Sequence, residues 1–235
     1  MIIRIYIFLM GMCIGSFLNL VIYRIINSES IVFPRSHCDY CGKTLKFYDL
    51  IPLISFISTN GKCRYCNKKL SIWYPLSEFL IGVVFFIYFY NLEFNLNKIL
   101  ILLAILNTFV ISVIDIKTFD IYMKLILINA LLSIIFILNN RIFDFDFLKF
   151  ILIFSIIFLI IYYLSGKNIG DGDYYLFLSL FAFVNSKNLL LFVFVAIWIG
   201  AFLGLIIAIL KKSFKIKIPF AIFILISFIY ILRRN

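Results

Sequence analysis

A chain of 235 residues that is 65% apolar and 14% charged, with a mean hydropathy of +1.13, lies far outside the composition of globular domains. That composition excludes a soluble enzyme, a disordered chain, a collagen and a disulfide scaffold, and several apolar runs reach the roughly 20 residues that cross about 30 Å of hydrocarbon. The net charge of +11 comes from 22 Lys and Arg against 11 Asp and Glu; because these charges punctuate apolar runs, they read as orientation signals beside a lipid bilayer and not as a nucleic-acid surface.

The first run, Ile2 to Ile22, carries Gly15, Ser16 and Asn19 with no small-residue cleavage site after them, and Met12 before Cys13 does not suit a lipoprotein. It reads as a retained transmembrane helix. Gly11, Gly15 and Asn19 recur on it at four-residue spacing, a strip for close helix packing with an amide able to bond across it; Cys13 is assigned to packing. Arg24 to Trp73 is the one extended polar segment. Seven further apolar runs follow, at about Tyr74–Tyr90, Ile99–Ile114, Ile121–Leu138, Phe150–Leu164, Tyr174–Val184, Leu189–Leu210 and Ile218–Leu232. The expected fold is an all-α polytopic membrane protein of about eight transmembrane helices with one small cytoplasmic zinc-binding loop domain. Its expected divisions are 1–23 (first helix), 24–73 (zinc domain) and 74–235 (seven-helix membrane domain). No internal repeat is evident, and most Phe and Tyr are expected to face lipid or the interface.

With the polar segment in the cytoplasm, the loops near Lys117, Lys167 and Lys211 to Lys217 fall on the same side, which places fifteen of the 22 basic residues inside. Both termini are then expected outside. The sixth run is short: 11 residues separate Asp173 from Asn185, roughly 16 Å of helix. Asp173 is therefore expected below the headgroups, in a protein-lined recess.

Four of the five cysteines form Cys38-x-x-Cys41 and Cys63-x-x-Cys66, with 21 residues between the pairs. That spacing suits a four-thiolate zinc site, each pair supplying half a tetrahedron. Two disulfides are the alternative, and they would need an oxidising compartment. His37 adjoins the set and is read as a neighbour of a shell already filled by sulfur.

Two acidic pairs adjoin apolar runs on the side assigned to the cytoplasm: Asp115 with Asp120, and Asp171 with Asp173. Carboxylates at membrane depth are costly, so these are candidates for chemistry, against the simpler reading of interfacial residues that end helices. Gly170 and Gly172 flank Asp171 and allow a sharp turn with close approach to a substrate strand. Two carboxylates held together share a proton, one activating water and the other protonating the carbonyl or leaving amine.

Taken together, these residues resemble the type IV prepilin peptidases. The resemblance runs through Gly15-Ser16-Phe17-Leu18-Asn19 with Arg24, Pro34-Arg35-Ser36-His37-Cys38, Asp49-Leu50-Ile51-Pro52-Leu53, Tyr74-Pro75-Leu76-Ser77-Glu78 and Ile218-Pro219-Phe220. It implies an aspartic endopeptidase of the bacterial cytoplasmic membrane whose catalytic acids are Asp115 and Asp173, in a protease domain over 74–235. The implied substrates are prepilins or pseudopilins, cut after a glycine that ends a short basic leader, beside an apolar helix. Because the cysteine segment is intact, the resemblance also implies methylation of the new amino terminus from S-adenosylmethionine, at a site no glycine-rich fingerprint locates. Glu78 is a candidate there, or simply a carboxylate near a helix amino terminus. The chain departs from the family at Ile121-Tyr122, where a proline is usual after the Ile, and at Ala221, where a glycine is usual. Asp120 and Asp171 are the fallback acids. Two further readings stay open: a presenilin-like intramembrane protease, and a non-enzymatic membrane zinc scaffold of a secretion system.

Overall fold

A computed structural model of the chain describes residues 2–140, 144–166, 170–212 and 217–234; Arg141, Lys167 and Lys215, counted in the charge bias, lie outside them. Among the described residues the only regular elements are helices. They are α1 (Ile2–Ile26), α2 (Ile54–Ser58), α3 (Trp73–Tyr88), α4 (Leu96–Thr118), α5 (Met123–Asn140), α6 (Phe145–Leu164), α7 (Asp171–Phe181), α8 (Leu189–Leu210) and α9 (Ala221–Leu232). Each of the eight apolar runs is one of these helices. Five of them, α1, α4, α5, α6 and α8, are long and apolar enough to cross a membrane. The others are shorter: α3 has 16 residues, α9 has 12 and α7 has 11.

The chain divides into two compact units, Met1–Phe94 and Asn95–Asn235. The boundary falls after α3, so the second apolar run groups with the first and with the cysteine segment, not with the helices that follow. In the first unit α1 and α3 pack along the expected strip. A Cβ on Gly11 would lie 2.7 Å from the Phe85 side chain, and one on Gly15 would lie 2.9 Å from the Glu78 backbone. Asn19 bonds across the seam: its amide donates to the Tyr74 carbonyl at 3.3 Å and accepts the Ser77 hydroxyl at 2.9 Å. Arg24, 1% exposed, folds the chain back after α1 by donating to the carbonyls of Ser30, Ile31 and Pro34.

In the second unit α4 is the central helix. A buried amide ladder ties it to α5: Asn129 donates to the Thr108 hydroxyl at 3.0 Å, and Asn107 donates to the Leu125 carbonyl at 2.8 Å and the Asn129 carbonyl at 2.9 Å. Such bonds between helices are the polar glue of membrane bundles. The expectation that most aromatic residues face lipid fails around α7. Phe177, Phe181, Phe192 and Phe228 are buried and meet edge to face or tilted, with centroids 5.3–6.1 Å apart. Helix α7, with 11 residues, is too short to span a bilayer, and these rings cover its inward face while Tyr175 stays exposed. The exposed face is instead on α6, of which only 6% is buried.

Candidate active site and metal centre

Asp115 lies one turn before the end of α4, where Phe119 adopts a left-handed conformation (φ 58°) and its N–H returns to the Asp115 carbonyl at 2.8 Å. Its side chain is 5% exposed. Oδ2 accepts the backbone N–H of Ala221, the first residue of α9, at 3.0 Å. An unsatisfied donor at a helix amino terminus is thus met by a buried carboxylate. Sequence reading missed this donor, although Ile218-Pro219-Phe220 marks the place: proline stops the preceding structure just where a new helix begins.

The segment before α9 reaches Asp115 because α8 has a groove there. A Cβ on Gly200 would sit 2.7 Å from the Phe220 ring, and one on Gly204 would sit 2.6 Å from Cδ1 of Ile218. This Gly-x-x-x-Gly pair was legible as a close-packing signal and was not used.

Asp173 occupies the first turn of α7, which opens at Asp171, within the Gly170–Asp173 segment just before the apolar run. Its Oδ1 is buried with no hydrogen-bond partner among the described residues. The carboxylate is close enough to Asp115 for the two charges to act on each other. Gly172 sets that approach: a Cβ there would lie 2.8 Å from Cβ of Ile121, so α7 abuts the α4–α5 turn with no room for a side chain. Gly170 caps α7 in an extended conformation. The fallback acids Asp120 and Asp171 are both exposed. Of the four carboxylates, Asp115 and Oδ1 of Asp173 are buried, and Asp120 and Asp171 are exposed.

In the first unit the Sγ atoms of Cys38, Cys41, Cys63 and Cys66 all lie within 4.8 Å of one another. Zn–S bonds of about 2.3 Å in a tetrahedron require sulfurs about 3.8 Å apart, and Cys38 and Cys66 stand at 3.9 Å. The donor set therefore fits a single tetrahedral metal ion. His37 is not in the cluster; its Nδ1 lies 3.1 Å from the Arg35 carbonyl.

The cysteine segment contains a repeat that the sequence reading did not find. Each pair sits on the same knuckle, offset by 25 residues: Cys38 N–H donates to the Lys43 carbonyl and Cys63 N–H to that of Lys68, while Leu45 and Leu70 donate to the carbonyls of Ser36 and Gly61. The turn after each pair needs a left-handed residue, filled by Gly42 (φ 68°) in one and Asn67 (φ 58°) in the other. The repeat is also written in the residues, as Cys-x-Tyr-Cys-x-Lys-x-Leu over Cys38–Leu45 and again over Cys63–Leu70, a signal that sequence reading overlooked because the unit is so short. Burial pushes the Cys38 thiol up to about 11. At Cys63 burial acts the same way but is outweighed by the N–H groups of Tyr65 and Cys66, which bring it to about 7.

Asp49 ties the two knuckles together. Its Oδ1 pairs with Arg64 Nε at 2.9 Å, and its Oδ2 accepts the Tyr65 hydroxyl at 2.8 Å and the Lys46 N–H at 3.1 Å. Burial disfavours the carboxylate, but the bonds from Tyr65, Lys46 and Arg64 prevail and hold its pKa below the usual range.

Two other expectations change. Cys13 is exposed, not packed. Glu78 lies beyond the first turn of α3, so a helix amino terminus does not explain it; it is buried, and its Oε2 accepts the Leu53 N–H at 3.0 Å. That bond holds Leu53 at φ 58°, where the chain enters α2.

Residues 9–92 match the model of the bacterial peptidase A24 N-terminal domain, and residues 100–205 match that of the type IV leader peptidase family. Over 82 residues the chain is 43% identical to a prepilin leader peptidase/N-methyltransferase of Myxococcus xanthus, covering 35% of this chain and 24% of that protein. It is 33% identical over 78 residues to one from Bacillus subtilis, covering 33% and 32%. It is also 33% identical over 93 residues to a type 4 prepilin-like proteins leader peptide-processing enzyme of Escherichia coli, covering 32% and 35%. The match thus spans about a quarter to about a third of the length of these curated relatives. No solved structure matches. The two family models meet at the boundary between the two units and together take in most of the sequence, and the chain belongs to the type IV leader peptidase family.

Proposed function

We propose that this chain removes the short basic leader of type IV prepilins or pseudopilins with Asp115 and Asp173, and then methylates the amino terminus it has freed. The observation that carries the protease reading is the buried pair, with Asp115 bonded to Ala221 N–H and Asp173 Oδ1 buried without a partner among the described residues. The pair also divides the labour. A backbone N–H bond favours the charged form of a carboxylate, so Asp115 is the base that takes a proton from water. Asp173, with no donor on Oδ1 among the described residues, holds the proton and delivers it to the scissile carbonyl and then to the leaving amine.

The cysteine cluster takes zinc as a structural ion, with four sulfurs filling the shell and no position open for substrate. The methyl group is supplied by S-adenosylmethionine; support for this second activity is the printed name of the Myxococcus xanthus and Bacillus subtilis relatives. The working place is the bacterial cytoplasmic membrane, with the cysteine segment and the aspartates on the cytoplasmic side, supported by the fifteen basic residues that fall there. Gathering of all four sulfurs at one point supports a metal over two disulfides, in keeping with that reducing side.

Co-expression with a matched prepilin tests the reading by mass spectrometry. Asp115→Asn and Asp173→Asn should each lower cleavage by roughly a hundredfold or more at unchanged membrane levels, whereas Asp120→Asn and Asp171→Asn should retain it. Cleavage within the apolar helix of the substrate would instead favour the presenilin-like reading. Full cleavage by either Asp115→Asn or Asp173→Asn would remove that residue from the chemistry.

A further inference from the structure

The first unit encloses a cavity of about 390 Å³ between α1, both knuckles and α3. Its size falls within the range of small-molecule sites, about 300–1,000 Å³. Aromatic rings line it from three directions: Tyr23 on α1, Phe56 on α2 and Tyr74 on α3. Three carboxylates line it and differ in their engagements: Asp49 is held by Arg64, the Tyr65 hydroxyl and the Lys46 N–H. Glu78 is committed to the Leu53 N–H and is part of the frame. Asp39, between the first two cysteines, is exposed, and the hydroxyls of Tyr23 and Tyr74 both reach it. The cavity therefore presents one oriented carboxylate amid aromatic faces. Such a site suits a cation joined to a flat apolar ring: the ring stacks, and the cation meets both the carboxylate and the electron-rich faces.

We infer that this cavity is the methyl-donor site, binding S-adenosylmethionine with Asp39 as the counter-charge to its sulfonium and Tyr23 and Tyr74 as the groups that orient Asp39. The inference rests on the methyltransferase reading and gives it a location. In the transfer, the lone pair of the neutral amine of the cleaved prepilin forms the N–CH3 bond while the S–CH3 pair stays on sulfur as a thioether. The proton on the new secondary ammonium leaves to solvent. Loss of the positive charge from sulfur removes the attraction to Asp39, so the product is held less tightly than the donor.

That difference supplies the test. Binding of S-adenosylmethionine and of its neutral product S-adenosylhomocysteine is measured by calorimetry on the full chain in detergent, with zinc content checked in every sample. Asp39→Asn should weaken the sulfonium compound about tenfold or more and the thioether about threefold or less, the pattern of a lost charge contact. Leu20→Trp, on α1 and outside both knuckles in sequence, adds bulk to the cavity wall and should weaken both compounds at full zinc content. Equal affinities in wild type and both variants would overturn the site. So would an equal loss of both ligands in Asp39→Asn at full zinc content. If Asp39→Asn loses zinc, photocrosslinking of methyl-labelled donor to wild type decides: label within residues 13–78 supports the site, and label confined to residues 95–234 overturns it. Methylated product from a wild type whose cavity variants bind normally would leave the methyltransferase standing with its site elsewhere. A wild type that neither binds the donor nor methylates would remove both.

Discussion

Oδ2 of Asp115 accepts the backbone N–H of Ala221 at 3.0 Å across 106 positions of sequence, so the end of α4 and the start of α9 form one unit of structure. A side chain cannot be swapped to test a main-chain donor, but proline can delete it. At the first position of a helix, proline fits without breaking the helix and removes only the N–H. Ala221→Pro should therefore insert and accumulate as wild type while leader cleavage falls about tenfold or more, because the proposed base loses its bond to a donor. Leader cleavage assayed in matched membranes measures the effect, and an unchanged rate would separate this bond from the chemistry.

The groove on α8 makes a graded prediction. The Cβ of Gly200→Ala meets the rigid ring of Phe220 at 2.7 Å, whereas that of Gly204→Ala meets only Cδ1 of Ile218, the free end of a flexible side chain. Overpacking typically costs about 1–3 kcal/mol. Gly200→Ala should lower thermal stability and cleavage clearly, and Gly204→Ala should stay within about threefold of wild type. Assays of both variants in the same membranes check the order.

Zinc analysis of the purified chain should return one equivalent, and Cys→Ser at any of Cys38, Cys41, Cys63 or Cys66 should reduce it severely, since three sulfurs leave the shell open. Chelation should loosen both knuckles at once, read as increased proteolysis between residues 35 and 70. Cleavage of a prepilin by metal-depleted but folded protein would be consistent with the ion's structural role. Disulfides in freshly isolated, reduced protein would refute the metal.

Asp49 gives a prediction with a defined pH window. Its folded-state pKa is depressed, so its contribution is present above the unfolded value of about 3.9 and is lost as pH falls through the lower, folded value. Between pH 5 and 8 the Asp49 link should therefore be constant. Asp49→Asn, which keeps shape but loses the charge that Arg64 pairs with, should lower zinc retention throughout that range. Titration of zinc release in both proteins measures it, and identical curves would show that the link between knuckles does not support the metal.

What was legible in the sequence followed from patterns that the bilayer imposes. Long apolar runs gave α1, α4, α5, α6 and α8, and the Gly11, Gly15, Asn19 strip gave the α1–α3 seam, because close helix packing requires small residues at helical spacing. The cysteine set was legible because tetrahedral coordination restricts ligand spacing. The Ala221 donor was not: it is main chain, and its identity as a donor depends only on where α9 starts. Cys13 and the inward phenylalanines of α7 were misplaced for a related reason, since in so apolar a chain hydrophobicity no longer distinguishes lipid from core. The repeat of the knuckles was legible too, since Tyr40, Lys43 and Leu45 recur as Tyr65, Lys68 and Leu70 around the cysteines, but a unit of eight residues is easily passed over in a chain of this length.

The dependence of Asp115 on α9 also sets an order of events during synthesis. Residues 115 and 173 leave the ribosome well before residue 221, so a nascent chain holds both carboxylates while the donor is still unmade. On the proposed reading, the proteolytic centre is complete only once α9 has been made, and a chain that has not reached it carries both carboxylates without the arrangement that sets them to work.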